Sequence, residues 1–126
     1  MKLRFNREEM AEAMAAICGV AATRTPKEIL KCVRVEAQAD VLLLTATDLE
    51  LSLRCAISQV EVDEPGESVV VAYTLARIVH ECSDEVLSME TQGTHLHLRG
   101  AGSHFQIVTV DAAEFPPVPV LEGEPE

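Results

Sequence analysis

The apolar residues of this 126-residue chain switch between two periods in an order that occurs twice, and that doubled order is the tightest constraint on its fold. Leu3 and Phe5 point one way and Lys2 and Arg4 the other, a short half-buried strand by period-2 alternation. Met10, Ala13, Met14 and Ile17 then fall at helical spacing, and strand-like segments follow at about 29–36, 41–47 and 49–57. In the last of these, Leu49, Leu51, Leu53, Cys55 and Ile57 alternate with Glu50, Ser52 and Arg54. The order then restarts. Ser68 to Ala72 reads as a strand, and Leu75, Ile78, Val79 and Cys82 give the i, i+3, i+4, i+7 stripe of an amphipathic helix. Strands at about 85–91, 94–99 and 104–110 complete the second half. The two halves share element order without evident sequence identity. The expected class is α+β: a duplicated strand–helix–three-strand unit with helices at about 7–18 and 74–82 side by side on one face of an antiparallel sheet or sheet pair.

Punctuation agrees with this layout. Asn6 is placed as a helix N-cap with Glu9 at the capping-box position, and Phe5 and Met10 occupy the staple positions around it. Gly19 is placed to end the first helix, and Thr25-Pro26 makes residues 20–28 a loop. Asp63-Glu64-Pro65-Gly66, Gln92-Gly93 and Gly100-Ala101-Gly102 are turn signals. From Phe115 the chain is Pro-rich and then acidic, and it reads as a linker or disordered end outside the core. We therefore set the domain at residues 1–116 and the tail at 117–126.

Length suits one domain with a proper core. Spanning a membrane as a helix takes about 20 consecutive apolar residues, and the apolar runs here are a few residues each. The start, Met1-Lys2-Leu3-Arg4-Phe5-Asn6, lacks the apolar centre of a signal peptide, so the expected location is the cytoplasm. Cys18, Cys32, Cys55 and Cys82 show no CxxC or CxxH spacing, and four reduced, buried thiols are expected. The formal charge is −11, but it is uneven: residues 1–34 carry +3 and residues 35–126 carry −14. Bulk acidity argues against nucleic-acid binding. The stretch from Arg24 to Arg34 is locally basic, however, and a phosphate senses charge only within a Debye length of about 8–10 Å.

Catalytic signatures are missing. There is no phosphate loop, dinucleotide fingerprint or nucleophile elbow. His95 and His97 share one face of a strand at metal-ligand spacing, but Leu96 and Leu98 supply the core side, so the histidines are expected to face water and hold no metal. His80 beside Glu81 reads as a solvated helix face. Asp48 suits a turn and Glu50 the exposed side of the next strand, which leaves no residue set to support an enzyme and no cofactor.

The run Thr45-Ala46-Thr47-Asp48-Leu49-Glu50-Leu51-Ser52-Leu53 and the run Asp111-Ala112-Ala113-Glu114-Phe115-Pro116 resemble the first domain of the bacterial β sliding clamp, the processivity subunit of DNA polymerase III. Met1-Lys2, Arg24, Ile29-Leu30, Glu64-Pro65-Gly66 and Phe105 match in the same order, over about residues 1–116. The resemblance implies the DNA-clamp fold, and a non-catalytic head-to-tail ring whose helices face duplex DNA and which tethers the polymerase. It implies weak, sequence-independent DNA contact by Arg24 in the loop after the first helix. Proximity and helix phase add Lys27, Arg7 and Arg77 as weaker candidates. It also implies that Phe105 and Ile107 meet the neighbouring subunit. Polymerase and clamp-loader contacts belong to domains outside this chain. Lys27-Glu28 precedes the Ile-Leu pair where the family often has Pro, and Tyr73-Thr74 stands where members can carry a basic pair, which weakens DNA contact from the second helix. The alternative is a single-domain, clamp-derived protein that docks on another chain without encircling DNA.

Overall fold

The computed structural model describes residues 1–21, 28–47 and 51–115. Among these, the first half runs β1 (Lys2–Asn6), α1 (Arg7–Val20), β2 (Cys32–Ala37), β3 (Leu42–Thr47), β4 (Ser52–Ile57) and β5 (Val60–Glu64). The second runs β6 (Gly66–Val71), α2 (Ala72–Glu81), β7 (Val86–Gln92), β8 (His95–Arg99) and β9 (His104–Val108). All strand pairs are antiparallel. One sheet has the order β5-β1-β7-β8-β9 and the other β4-β3-β2-β6, with Val110 bridging to Val69 on the free side of β6. The two orders become the same under exchange of halves. β1 corresponds to β6, and β7, β8 and β9 correspond to β2, β3 and β4. Each half ends by leaving the sheet its last three strands build and returning to its own first strand in the other sheet: β5 on β1, Val110 on β6. The expected duplication is present, with one addition. Val60 to Glu64 forms a strand that the period reading leaves out, and the Asp63–Gly66 turn signal is a junction between two strands.

α1 packs over β3 and β4, α2 over β6, β2 and β9, and the helices pack against each other. Met10, Met14 and Ile17 of α1 and Leu75, Ile78 and Val79 of α2 join Leu3, Phe5, Leu44 and Leu96 in one core that spans both sheets. Asn6 caps α1 as expected, its Oδ1 accepting from the Glu9 N–H at 2.8 Å, which stabilises a helix start by about 1 kcal/mol. Phe5 and Met10, the staple pair, are fully buried. Glu9 does not close a capping box. Its carboxylate accepts from the backbone N–H of Gln59 at 3.0 Å and of Ser58 at 3.4 Å, and so pins the corner where the chain passes from β4 to β5.

Several expectations need correction. α1 continues through Gly19 to Val20, because the C-cap Ala21 N–H bonds back to Ile17 O at 2.9 Å without a left-handed glycine. α2 begins at Ala72, two residues before the expected start at 74. Residues 28–31 form a 3₁₀ turn ahead of β2. Leu51, assigned to the apolar side of a strand, is 60% exposed and precedes β4. Phe115, read as the start of the tail, is buried with Cys32 and Val69. Of the four cysteines only Cys32 is buried, the others being half-buried, and no disulfide joins them. The expected Asp48 turn, Thr25-Pro26 break and residues 116–126 lie outside the described residues. No helix among the described residues is long and apolar enough to cross a membrane.

Candidate nucleic-acid face and sheet edge

Burying one stripe of each helix leaves the opposite stripes together on the surface. α1 exposes Glu8, Glu12, Ala15 and Ala16, and α2 exposes Tyr73, Thr74, Arg77, His80 and Glu81. Between them runs a shallow, mainly apolar groove of about 300 Å³ whose walls include Ala11, Ala15, Tyr73, Ala76 and Arg77. The two helices carry two arginines, Arg7 and Arg77, against four glutamates. That balance makes the helical face a poor attractor of phosphate by itself.

The four basic candidates separate. Arg77 is 62% exposed at the side chain, and its Nε lies 3.9 Å from Glu81 Oε2 one turn on, a surface pair worth well under about 1 kcal/mol, so it is available to a ligand. Arg7 is engaged elsewhere. Its Nε donates to the carbonyl of Asp84 at 2.8 Å and its Nη1 to the carbonyl of Val79 at 3.4 Å, so the first residue of α1 fastens the C-terminal end of α2. A cation there also opposes the negative end of the helix dipole. Arg24 and Lys27 lie outside the described residues. On the strands, Arg4 pairs with Glu61 at 2.6 Å, Arg34 with Glu67 at 2.6 Å and Arg99 with Glu90 at 3.2 Å, so these arginines are committed to cross-strand acids.

Phe105 and Ile107 lie on β9, which pairs with β8 and forms the open end of its sheet. Ile107 faces Leu96 and is buried, a full member of the core, whereas Phe105 faces Leu98 and is half-buried against it. The outward side of β9 shows His104, Gln106 and Val108, the last 64% exposed. At the opposite end of the sheet, β5 presents Glu61, Asp63 and Glu64 to solvent. Sheet edges are commonly guarded by charge, and β9 lacks that guard.

The histidines depart from expectation. His95 is half-buried, and His97 is only 8% exposed, its ring against His104 of β9. Nothing in the spacing of His97 and His104 announces this contact, because it depends on the β8–β9 register. Among the described residues no group of three or more His, Cys, Asp or Glu side chains converges as a metal site.

Comparison with known proteins follows the same lines. The family model described as the DNA polymerase III beta subunit, N-terminal domain, matches residues 1–119. The chain is 27% identical over 124 residues to the beta sliding clamp of Chlamydia pneumoniae, covering 98% of this chain and 34% of that relative. The DNA polymerase sliding clamp from Bacillus subtilis superposes with a TM-score of 0.92 at 23% identity, over 98% of this chain and 34% of that one. The Helicobacter pylori beta clamp, solved bound to a DNA ligase peptide, gives 0.91 at 22% identity, over 97% and 34%. This chain spans about a third of the length of the relatives it matches.

Proposed function

We propose, from the premise that this chain belongs to the DNA polymerase III beta-subunit family as its N-terminal domain, that it acts as one segment of a sliding clamp in the bacterial cytoplasm. In that role the α1–α2 face looks toward duplex DNA, and the β9 edge, with Phe105 beside it, meets a neighbouring subunit. The domain does no chemistry. It helps a ring hold a polymerase at its template, which replaces rebinding from solution with a local encounter at high effective concentration. The observation that carries this reading is the placement of both helices side by side on one face of a pseudo-twofold sheet pair.

Contact with DNA rests on Arg24 and Lys27, which follow α1 in the sequence, with Arg77 as an accessory from α2. Arg7 is the least suited of the four, because its guanidinium is spent on carbonyls. Few phosphates are neutralised, so binding is weak, sequence-independent and steeply dependent on salt. The acidic helical face favours a second reading, that of a clamp-derived domain that docks on another chain through β9.

Titrating a short duplex at low salt into the isotope-labelled chain separates the two. The clamp reading expects amide shifts on the outward residues of α1 and α2 and around Arg24, reversed by salt and weakened several-fold by Arg24→Ala. Shifts absent from the helical face, together with protection of β9 by a full-length clamp, would overturn DNA contact in favour of docking.

A further inference from the structure

The outer sheet face beside the β9 edge carries a histidine pair that none of these roles uses. His97 sits on β8, on the side opposite Leu96 and Leu98, with its Nδ1 2.8 Å from Nε2 of His104 on β9. The ring centroids are 5.1 Å apart and the ring planes 28° apart. That centroid separation is the nitrogen–nitrogen distance plus one ring radius at each end. The imidazoles therefore meet end to end along a line, as an N–H···N hydrogen bond requires. Shared metal ligation would need the two lone pairs to converge on a third point, so this is a proton-sharing pair and not a chelate.

In the neutral pair one ring donates and the other accepts. A first added proton goes to an outward nitrogen of the donor ring and leaves the bridge in place, now charge-assisted. A second has to take the accepting lone pair, which removes the bond and sets two imidazolium nitrogens against each other. The surroundings resist that second charge. From β8, Arg99 and His95 flank His97; from β9, His104 faces it; from β7, Glu90 lies directly across. Glu90 is the acid in this group, and its Oε1 already accepts from Arg99 Nη1 at 3.2 Å, while Lys2 of β1 lies beyond it. Burial, reinforced by His104, Arg99 and His95 and opposed by Glu90, holds the His97 imidazolium below the usual histidine range.

We propose that the His97–His104 pair is a proton-operated latch that fastens the outermost strand β9 to β8, so that the second protonation loosens β9 and weakens whatever pairs with its free edge. The consequence for pairing rests on the reading of β9 as a docking edge; the latch is a property of this chain alone.

Ring-nitrogen NMR and amide exchange, followed from about pH 7.5 to about pH 4.5, test it. The pair is expected to titrate in two steps, the second below the usual histidine range. Exchange in β8–β9, taken relative to β1–β7 in the same sample, is expected to accelerate about tenfold across the second step. His104→Phe keeps a ring but no nitrogen and should flatten that ratio; His104→Gln serves if the first variant unfolds. Independent single steps for His97 and His104, or a flat wild-type ratio, would overturn the latch. A normal latch in a chain whose β9 gains no protection from a full-length clamp would instead overturn the docking reading.

Discussion

Replacing Arg7 by alanine distinguishes a strut from a phosphate contact. In the structure its guanidinium bridges the start of α1 to the carbonyls of Asp84 and Val79, at 2.8 and 3.4 Å. A hydrogen bond from a charged donor contributes about 1.5–3 kcal/mol, and partial exposure puts the shorter bond at the low end of that range. The longer bond is near the geometric limit and adds about 0.5 kcal/mol, as does opposing the α2 dipole. The total loss is about 2.5 kcal/mol, which at roughly 4 °C per kcal/mol for a chain of this size lowers Tm by roughly 10 °C. Arg7→Lys keeps the charge but not the planar fork and should lose about half as much. Thermal melts of the three proteins measure this directly, and salt-dependent duplex titration supplies the second axis. A phosphate contact removed by the substitution lowers the slope of log affinity against log salt by about 0.9. An unchanged Tm with a reduced slope would refute the strut and return Arg7 to the DNA.

The remaining predictions concern the edge, a turn and acid. Ile107→Ala should cost the isolated chain about 2–4 kcal/mol in urea unfolding, because the side chain is core, while the half-buried Phe105→Ala costs less; equal small effects would place both outside the core. Gly100→Ala puts a Cβ 2.6 Å from Asp84 Oδ1, forcing that carboxylate off the Ala101 N–H it holds at 2.8 Å, and should cost about 1–2 kcal/mol by the same assay. His97 has a folded-state pKa below its ordinary 6.5, so the unfolded chain binds more protons between the two values. Its contribution is therefore complete above 6.5 and declines as pH falls toward the folded value, so the urea midpoint should drop on acidification more in the wild type than in His97→Gln.

Local chemistry was legible where one residue type has one job. Asn6 and the Phe5–Met10 staple located the start of α1, and the stripe from Leu75 to Val79 located α2. β5 was not recognised, although Val60 and Val62 alternate with Glu61 and Asp63, because three acids ahead of Pro65-Gly66 look like a turn. An acidic strand is tolerable there because it is an edge and Arg4 neutralises part of it. The surroundings of Arg7 and His97 were illegible for a different reason. Their partners are about 70 residues away for Arg7 and across a strand register for His97, and neither relation leaves a trace in periodicity.

The strand exchange at the end of each half explains why such a domain suits assembly. Because β5 returns to β1 and Val110 to β6, those sides of the two sheets are covered by the domain's own chain, and the new edge at β5 is guarded by acids. The other sides, β9 and β4, stay open, and the exchange of halves makes them equivalent. They are also the lightly charged edges: Arg54 on β4 and His104 on β9 stand against the three acids of β5. Equivalent open edges, one on each sheet, turn the domain into a link that can be extended at two places by the same backbone pairing. On the proposed reading β9 serves the neighbouring subunit and β4 is free to meet a second domain. A charge placed on either strand, such as Gln106→Lys on β9, would then block one junction and leave the other intact.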